Sequence, residues 1–259
     1  MAGREPLDES VLRTTLRPRW SRVSVVAETP STNADLLGDD SAPDRSVLVA
    51  ELQTAGRGRL DRAWTSPRGA GLTFSVLLRP PVPVASWSWL PLLAGVALCE
   101  AVEVVTGLPA RLKWPNDLTI DGRKAAGILA QTGAQRVVLG MGLNVSTEAA
   151  ELPVPDATSL ALAGAPDTDR FGLLVAILGR LDARVAQWAD AGGDAEASGV
   201  AAAYRQRCAT VGQRVAVTIG DETVRADAVD VDGTGRLVLE SDGVRRAVAA
   251  GDVRHVRPR

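Results

Sequence analysis

Three short segments concentrate the residues able to do chemistry. The first, QTAGRGRLDRAW from Gln53 to Trp64, sets Gly56 and Gly58 among Arg57, Arg59 and Arg62 directly after a predicted strand. Glycines let backbone amides approach an anion, and arginines supply planar, fork-shaped donors for phosphate or carboxylate. The lysine-serine ending of a Walker loop is missing, and an exposed arginine loop or an RNA contact is the plain alternative. The second segment, RLKWPNDLTIDGRKAAGILAQ, places Lys113, Trp114, Asn116 and Asp117 at a strand end, then returns through Lys124, Ala125, Ala126 and Gly127. A lysine followed by three tiny residues suits a strand with a flat ligand against its backbone; small residues beneath a helix are the alternative. The third, LGMGLNVS, carries Gly140 and Gly142, a weak dinucleotide fingerprint because no helix follows, and ends on the polar Asn144.

Composition narrows the chemistry further. Of 29 lysine and arginine residues only Lys113 and Lys124 are lysines, and both fall in the second segment. A chain that writes nearly every positive charge as arginine should keep lysine where a compact, rotatable ammonium does what a guanidinium cannot. The single histidine, His255, argues against histidine triads and paired-histidine metal sites. A net charge of −2 argues against a protein whose main business is neutralising nucleic-acid phosphates, so anion binding must be local. Cys99 and Cys208 are too few and too far apart for a disulfide framework or a zinc site, and read as buried, inert thiols.

The elements that must position these residues form an α/β pattern. Residues 23–27 read as a strand, Pro30-Ser31-Thr32-Asn33 as a turn and N-cap for a helix through Leu37, and 47–52 as a strand running into the glycine loop. Residues 72–78 form a strand closed by PPVPV, and 87–105 a helix. Residues 112–114, 118–120, 124–131 and 137–145 read as strands, with Asp121-Gly122 a hairpin turn. Apolar residues at 173, 174, 177, 178, 181, 185 and 188 predict a long amphipathic helix, followed by AGGDAEASG as a flexible connector and a short helix over 200–208. From Val211 the texture changes to short valine-rich strands between Gly-Asp and Asp-Gly turns, which predicts a small β-barrel of about five strands. The expected organisation is an N-terminal arm over 1–22, a mixed-sheet catalytic domain over 23–209 and a small barrel over 210–259. The apolar stretch from Trp87 to Cys99 is too short for a membrane span and MAGREPLDES lacks an apolar signal region, so a cytoplasmic protein without membrane contact is expected.

Taken in order, STNADLL, GRGRLDRAW, KWPNDL, RKAAGIL and GMGLNV resemble the biotin protein ligases, over roughly residues 24 to 255. The resemblance implies a biotin and lipoate ligase type of catalytic domain with an SH3-like C-terminal barrel. It implies that biotin is activated with ATP as biotinyl-5'-AMP and passed to a lysine of a biotin carboxyl carrier domain of acyl-CoA carboxylases. It implies a biotin pocket of Ser31, Thr32, Asn33, Gln53, Gly56, Arg57, Gly58, Arg59, Lys124 and Gly127. Arg59, Arg62, Trp64, Lys113, Asn116, Asp117 and Asn144 would then serve ATP or the adenylate. No winged-helix domain precedes these motifs, so a monomeric ligase without repressor activity or nucleic-acid partner is expected.

In that reaction two anions must meet. At 4 Å and an effective dielectric near 20 each unit-charge pair repels by about 4 kcal/mol, which cations between them convert into stabilisation. Lys124 is expected to bridge carboxylate and α-phosphate, Arg57 and Arg59 to clamp phosphate and loop, Lys113 to meet the polyphosphate and Asp117 to take the acceptor lysine's proton. Mg2+ is expected to arrive with ATP rather than at a fixed site. Three like charges and two glycines also predict a loop that orders only around an anion. The rival readings are a lipoate or octanoate ligase, and a phosphate- or nucleic-acid-binding regulatory module.

Overall fold

The computed structural model describes residues 4–219, 222–249 and 251–256, without the side chains of Asp61 and Ile219. The strands β1 (Arg22–Val26), β2 (Ser46–Ala50), β3 (Gly71–Leu78), β4 (Ala110–Lys113), β5 (Asp117–Ile120), β6 (Arg123–Gly133) and β7 (Arg136–Asn144) form one sheet in the order β1-β2-β3-β7-β6-β5-β4. Only β1 and β2 run parallel, joined by the helix α2 (Thr32–Gly38); the other pairs are antiparallel, so the sheet is mixed as expected. The β5 to β6 hairpin turns on Asp121 and Gly122, both at positive φ, the geometry that an Asp-Gly pair adopts at low cost.

Strand alternation gives the sheet two unlike faces. Leu72, Phe74, Val76 and Leu78 of β3 and Val137, Leu139, Met141 and Leu143 of β7 enter the main core, beneath α3 (Leu90–Thr106) and α4 (Arg170–Asp190). Their alternates, Thr73, Ser75, Gly140 and Gly142, fall on the opposite face, where α2 packs through Leu36 over a smaller cluster of Leu48, Leu77 and Val138. Every apolar position that the periodicity assigned to the long helix is buried in α4. With its preceding 3₁₀ turns, α3 runs continuously over Val84–Thr106, longer than the sequence suggested and apolar enough to cross a membrane by length and composition. Its burial between sheet and α4 makes it the core helix instead.

The N-terminal segment is tied down at several points. The helix α1 (Glu9–Leu16) buries Leu12 and Leu16, and Glu9 Oε2 accepts the Val25 amide at 2.8 Å, occupying part of the open edge of β1. Glu51 accepts the Leu7 amide at 2.8 Å and pairs with the buried Arg170 at 2.9 Å. The connector 191–199, expected to be flexible, is a run of turns in which Asp194 accepts the amides of Glu196 and Ala197 and Ala195 is buried. Its small residues serve close packing, Gly193 lying against Ser86 at a φ of 86°.

After α5 (Val200–Arg207) come the five antiparallel strands β8 (Arg214–Ile219), β9 (Glu222–Val231), β10 (Leu237–Ser241), β11 (Val244–Val248) and β12 (Asp252–His255), in the order β11-β10-β9-β8-β12. Among the described residues no ladder joins β11 to β12, so the hydrogen bonding is that of a five-stranded sheet. Its 232–235 turn docks on the main domain: Trp89 Nε1 donates to Gly233 O at 2.8 Å and Trp114 Nε1 to Gly235 O at 3.0 Å. Two buried indoles with satisfied N–H groups thus fix the small sheet beside β4.

Candidate active site

A cavity of about 490 Å³ opens on the α2 face of the main sheet. Fourteen of the sixteen residues named from sequence line it, the exceptions being Gly56 and Asn144. The floor is backbone. Gly127 of β6 and Gly142 of β7 are directly paired across the strands, and the Trp64 indole lies over both. A Cβ on Gly142 would overlap the indole ring, and one on Gly140 would overlap the Asn33 amide. Glycine is required here by close approach rather than by its backbone angles. Of the three small residues after Lys124 only Gly127 borders the cavity; Ala125 and Ala126 are buried in the main core, as the plainer reading held.

One end of the cavity is a polar network. Gln53 Oε1 accepts the Thr32 amide at 2.8 Å and its hydroxyl at 3.0 Å, satisfying one of the free amides at the start of α2, while Ser31 caps the helix. Ser75 donates to Asn33 Oδ1 at 2.6 Å, and Asn33 Nδ2 donates to Gln131 Oε1 at 2.8 Å. Thr32 and Asn33 are therefore held in fixed rotamers, buried against the sheet.

The other end is cationic. Lys124 Nζ stands 2.6 Å from Asp117 Oδ1, and its side chain folds back over Gly127. The Lys124 backbone is held from outside β6 as well: its amide donates to Asp156 O and its carbonyl accepts Thr158 N, each at 2.8 Å. Arg59 reaches Asn116 Oδ1 at 3.4 Å, and burial pulls its guanidinium below the ordinary arginine range. Arg62 Nη2 pairs with Asp252 Oδ2 at 2.8 Å, a contact that raises the arginine and holds the carboxyl below its usual range. Lys113, paired in register with Asp117 across β4 and β5, lines the same end.

The arginine loop carries backbone contacts of its own. Gly58 N donates to Arg62 O at 2.6 Å, Trp64 N to Gly56 O at 2.9 Å, and Arg57 bridges Ala63. These backbone bonds close the loop on itself. Gly56 stands outside the cavity because it is part of that closure: a Cβ there would meet Trp64 O at 2.5 Å. Asn144 also stands outside. Buried at the end of β7, it donates to Thr158 O at 3.0 Å and accepts Leu160 N at 3.0 Å, so it holds the segment that in turn holds Lys124.

Sequence reasoning weighed Gly140 and Gly142 only as a weak dinucleotide fingerprint and gave them no place in the pocket, though their spacing of two on a strand sets both on one face. It also passed over Gly251, Asp252 and Val253, which line the cavity from the small sheet and whose Gly-Asp pair looked like one more turn. Cys99 and Cys208 are buried and free, and burial pushes the Cys99 thiol up to about 12.

Residues 23–146 match the biotin/lipoate A/B protein ligase family and residues 210–256 the biotin protein ligase C terminal domain. The biotin--[acetyl-CoA-carboxylase] ligase of Mycobacterium tuberculosis is 44% identical over 98% of this chain and 97% of its own length. The chain belongs to the biotin protein ligase family. Within that family it is also similar to the bifunctional ligase/repressor BirA of Bacillus subtilis, 32% identical over 87% of this chain and 71% of that protein. Among solved structures, the biotin protein ligase from Aquifex aeolicus in complex with biotin and ATP superposes with a TM-score of 0.79 at 26% identity, over 92% of this chain and all of that one.

Proposed function

We propose that this chain activates biotin with ATP and then transfers it to a lysine of a biotin carrier domain of an acyl-CoA carboxylase. One observation carries the reading. A glycine floor covered by the Trp64 indole, a polar network at Thr32, Asn33 and Gln53, and a cationic end at Lys124, Arg57, Arg59 and Lys113 share a single cavity. That arrangement suits a flat, neutral, hydrogen-bonding ring joined by an apolar arm to a carboxylate.

In the first step a biotin carboxylate oxygen bonds to the α-phosphorus, the bond to pyrophosphate breaks, and pyrophosphate leaves. Lys124 neutralises the meeting of the two anions, and Asp117, 2.6 Å away, orients its ammonium. Arg57 and Arg59 hold phosphate, Lys113 the departing pyrophosphate, and Arg59 gains by exchanging its long contact with Asn116 for a full counter-charge. In the second step Asp117 takes a proton from the acceptor ammonium, the amine attacks the carbonyl and AMP leaves. Trp64 and the closed loop shield the mixed anhydride from water between the steps.

Among the described residues no group of three or more His, Cys, Asp or Glu is placed to hold a metal ion. Asp117 and Asp252 each already face a cation. The residues therefore fit magnesium brought on the ATP phosphates rather than a resident ion.

Biotin-dependent exchange between ATP and labelled pyrophosphate, run beside lipoate and octanoate, tests the reading. Exchange with biotin alone is expected. Exchange with lipoate or octanoate alone would move the assignment to the rival ligase, and exchange with none of them would end it.

A further inference from the structure

The small C-terminal sheet supplies a carboxylate to the mouth of the cavity. Asp252 begins β12, its backbone paired with Thr218, and its neighbours Gly251 and Val253 line the cavity with it. Its side chain holds Arg62 Nη2 at 2.8 Å, with Arg254 more distant at 4.0 Å. Arg62 is no ordinary surface arginine. Its carbonyl accepts Gly58 N at 2.6 Å and its amide donates to Arg59 O at 3.2 Å, so whatever fixes Arg62 fixes the glycine loop at its narrowest point. Two residues on, Trp64 is bonded to Gly56 and covers the Gly127 and Gly142 floor.

We propose that Asp252 is a positioning residue for the reaction: it holds Arg62, and through it the 56–64 loop, over the cavity mouth, and yields Arg62 to the nucleotide's phosphates. The assignment rests on the function proposed above and gives the small sheet a part in it. The Arg62 side chain is 63% exposed and that of Asp252 28% exposed, so the pair is solvent-screened and weak. A polyphosphate carries more charge than one carboxylate and binds guanidinium in the same forked geometry, so it displaces Asp252 without a large penalty. A tighter, buried pair would lock the loop rather than lend the arginine. The Asp252 contact thus ties the self-closed loop to the small sheet and makes its position sensitive to nucleotide.

Asp252→Asn keeps the shape and removes the charge. Without nucleotide, trypsin is expected to cut the variant at the loop arginines at least about 3-fold faster than the wild type, because the loop opens more often. Asp252→Glu should restore the wild-type rate. In pyrophosphate exchange, Asp252→Asn should lower KM for ATP about 2- to 5-fold, the size of a screened pair, and leave KM for biotin unchanged. In an Arg62→Gln background the same change should leave KM for ATP where it is. Unaltered trypsin cleavage, or an equal fall in KM in the Arg62→Gln background, would overturn the proposal, the latter because it marks general repulsion of phosphate. Loss of all biotin-dependent exchange in the wild type would instead count against the proposed function, and the cleavage comparison, which needs no substrate, would still decide the role of Asp252 in holding the loop.

Discussion

Lys124 Nζ and Asp117 Oδ1 lie 2.6 Å apart, and this contact joins two motifs that meet only because the β5 to β6 hairpin folds one strand back on the other. The ammonium lies over Gly127, and the 156–158 segment grips the Lys124 backbone. A guanidinium is wider and planar, and cannot place its charge where this compact ammonium meets Asp117.

Lys124→Arg is therefore expected to preserve the fold and lose about 100-fold or more of kcat in biotin-dependent pyrophosphate exchange, the scale of removing one preorganised charge. Thermal unfolding should stay near that of the wild type. Exchange within a few-fold of the wild type would show that this lysine has no role an arginine cannot fill.

Gly142→Ala places a methyl group where the Trp64 ring lies. The indole must leave the floor, and the floor is no longer flat. KM for biotin should rise at least about tenfold, with the tryptophan fluorescence change specific to Trp64 and absent in a Trp64→Phe background. An unchanged KM would remove the glycine pair from the binding surface.

Asn144→Ala removes the donor to Thr158 O in a buried position. The orphaned carbonyl should cost about 1–3 kcal/mol, read as a lower midpoint in urea. Because the 156–158 segment also grips Lys124, kcat should fall while KM for ATP holds. A rise in KM for ATP with kcat intact would instead place Asn144 in direct contact with nucleotide.

The N-terminal arm adds an acid-sensitive tie. The hydrogen-bonded Arg4 guanidinium lowers the Glu151 carboxyl from 4.5 to about 2. A carboxyl whose folded value is depressed contributes stability above its unfolded value and loses it as pH falls, here from about 4.5 towards 2. Glu151→Gln should flatten the dependence of unfolding free energy on pH in that window and lower stability near neutrality. Identical pH profiles would show that the pair does not anchor the arm.

The site was legible wherever residue type alone fixes chemistry. The two lysines in a chain of arginines and the glycine-arginine run stood out by residue type and line one cavity, and the Asp-Gly pair marked its hairpin, because ammonium, guanidinium and φ-permissive backbone have no substitutes. The long helix was equally plain, since its apolar spacing leaves one way to bury seven side chains. Less was visible where function depends on what a residue faces. Asn144 and Gly56 carried chemistry suited to the cavity, and the fold engages both in holding its walls. Gly140 and Gly142 looked too sparse to matter until β7 set them under Asn33 and Trp64.

By itself, then, the sequence determined the order of elements, the α/β class and the set of groups able to bring two anions together, since these follow from local periodicity and side-chain chemistry. Only the tertiary structure decided which of those groups face one cavity. It brought Lys124 to Asp117 across a hairpin and Asp252 to Arg62 from a separate sheet, through pairings at a sequence distance that no local pattern encodes.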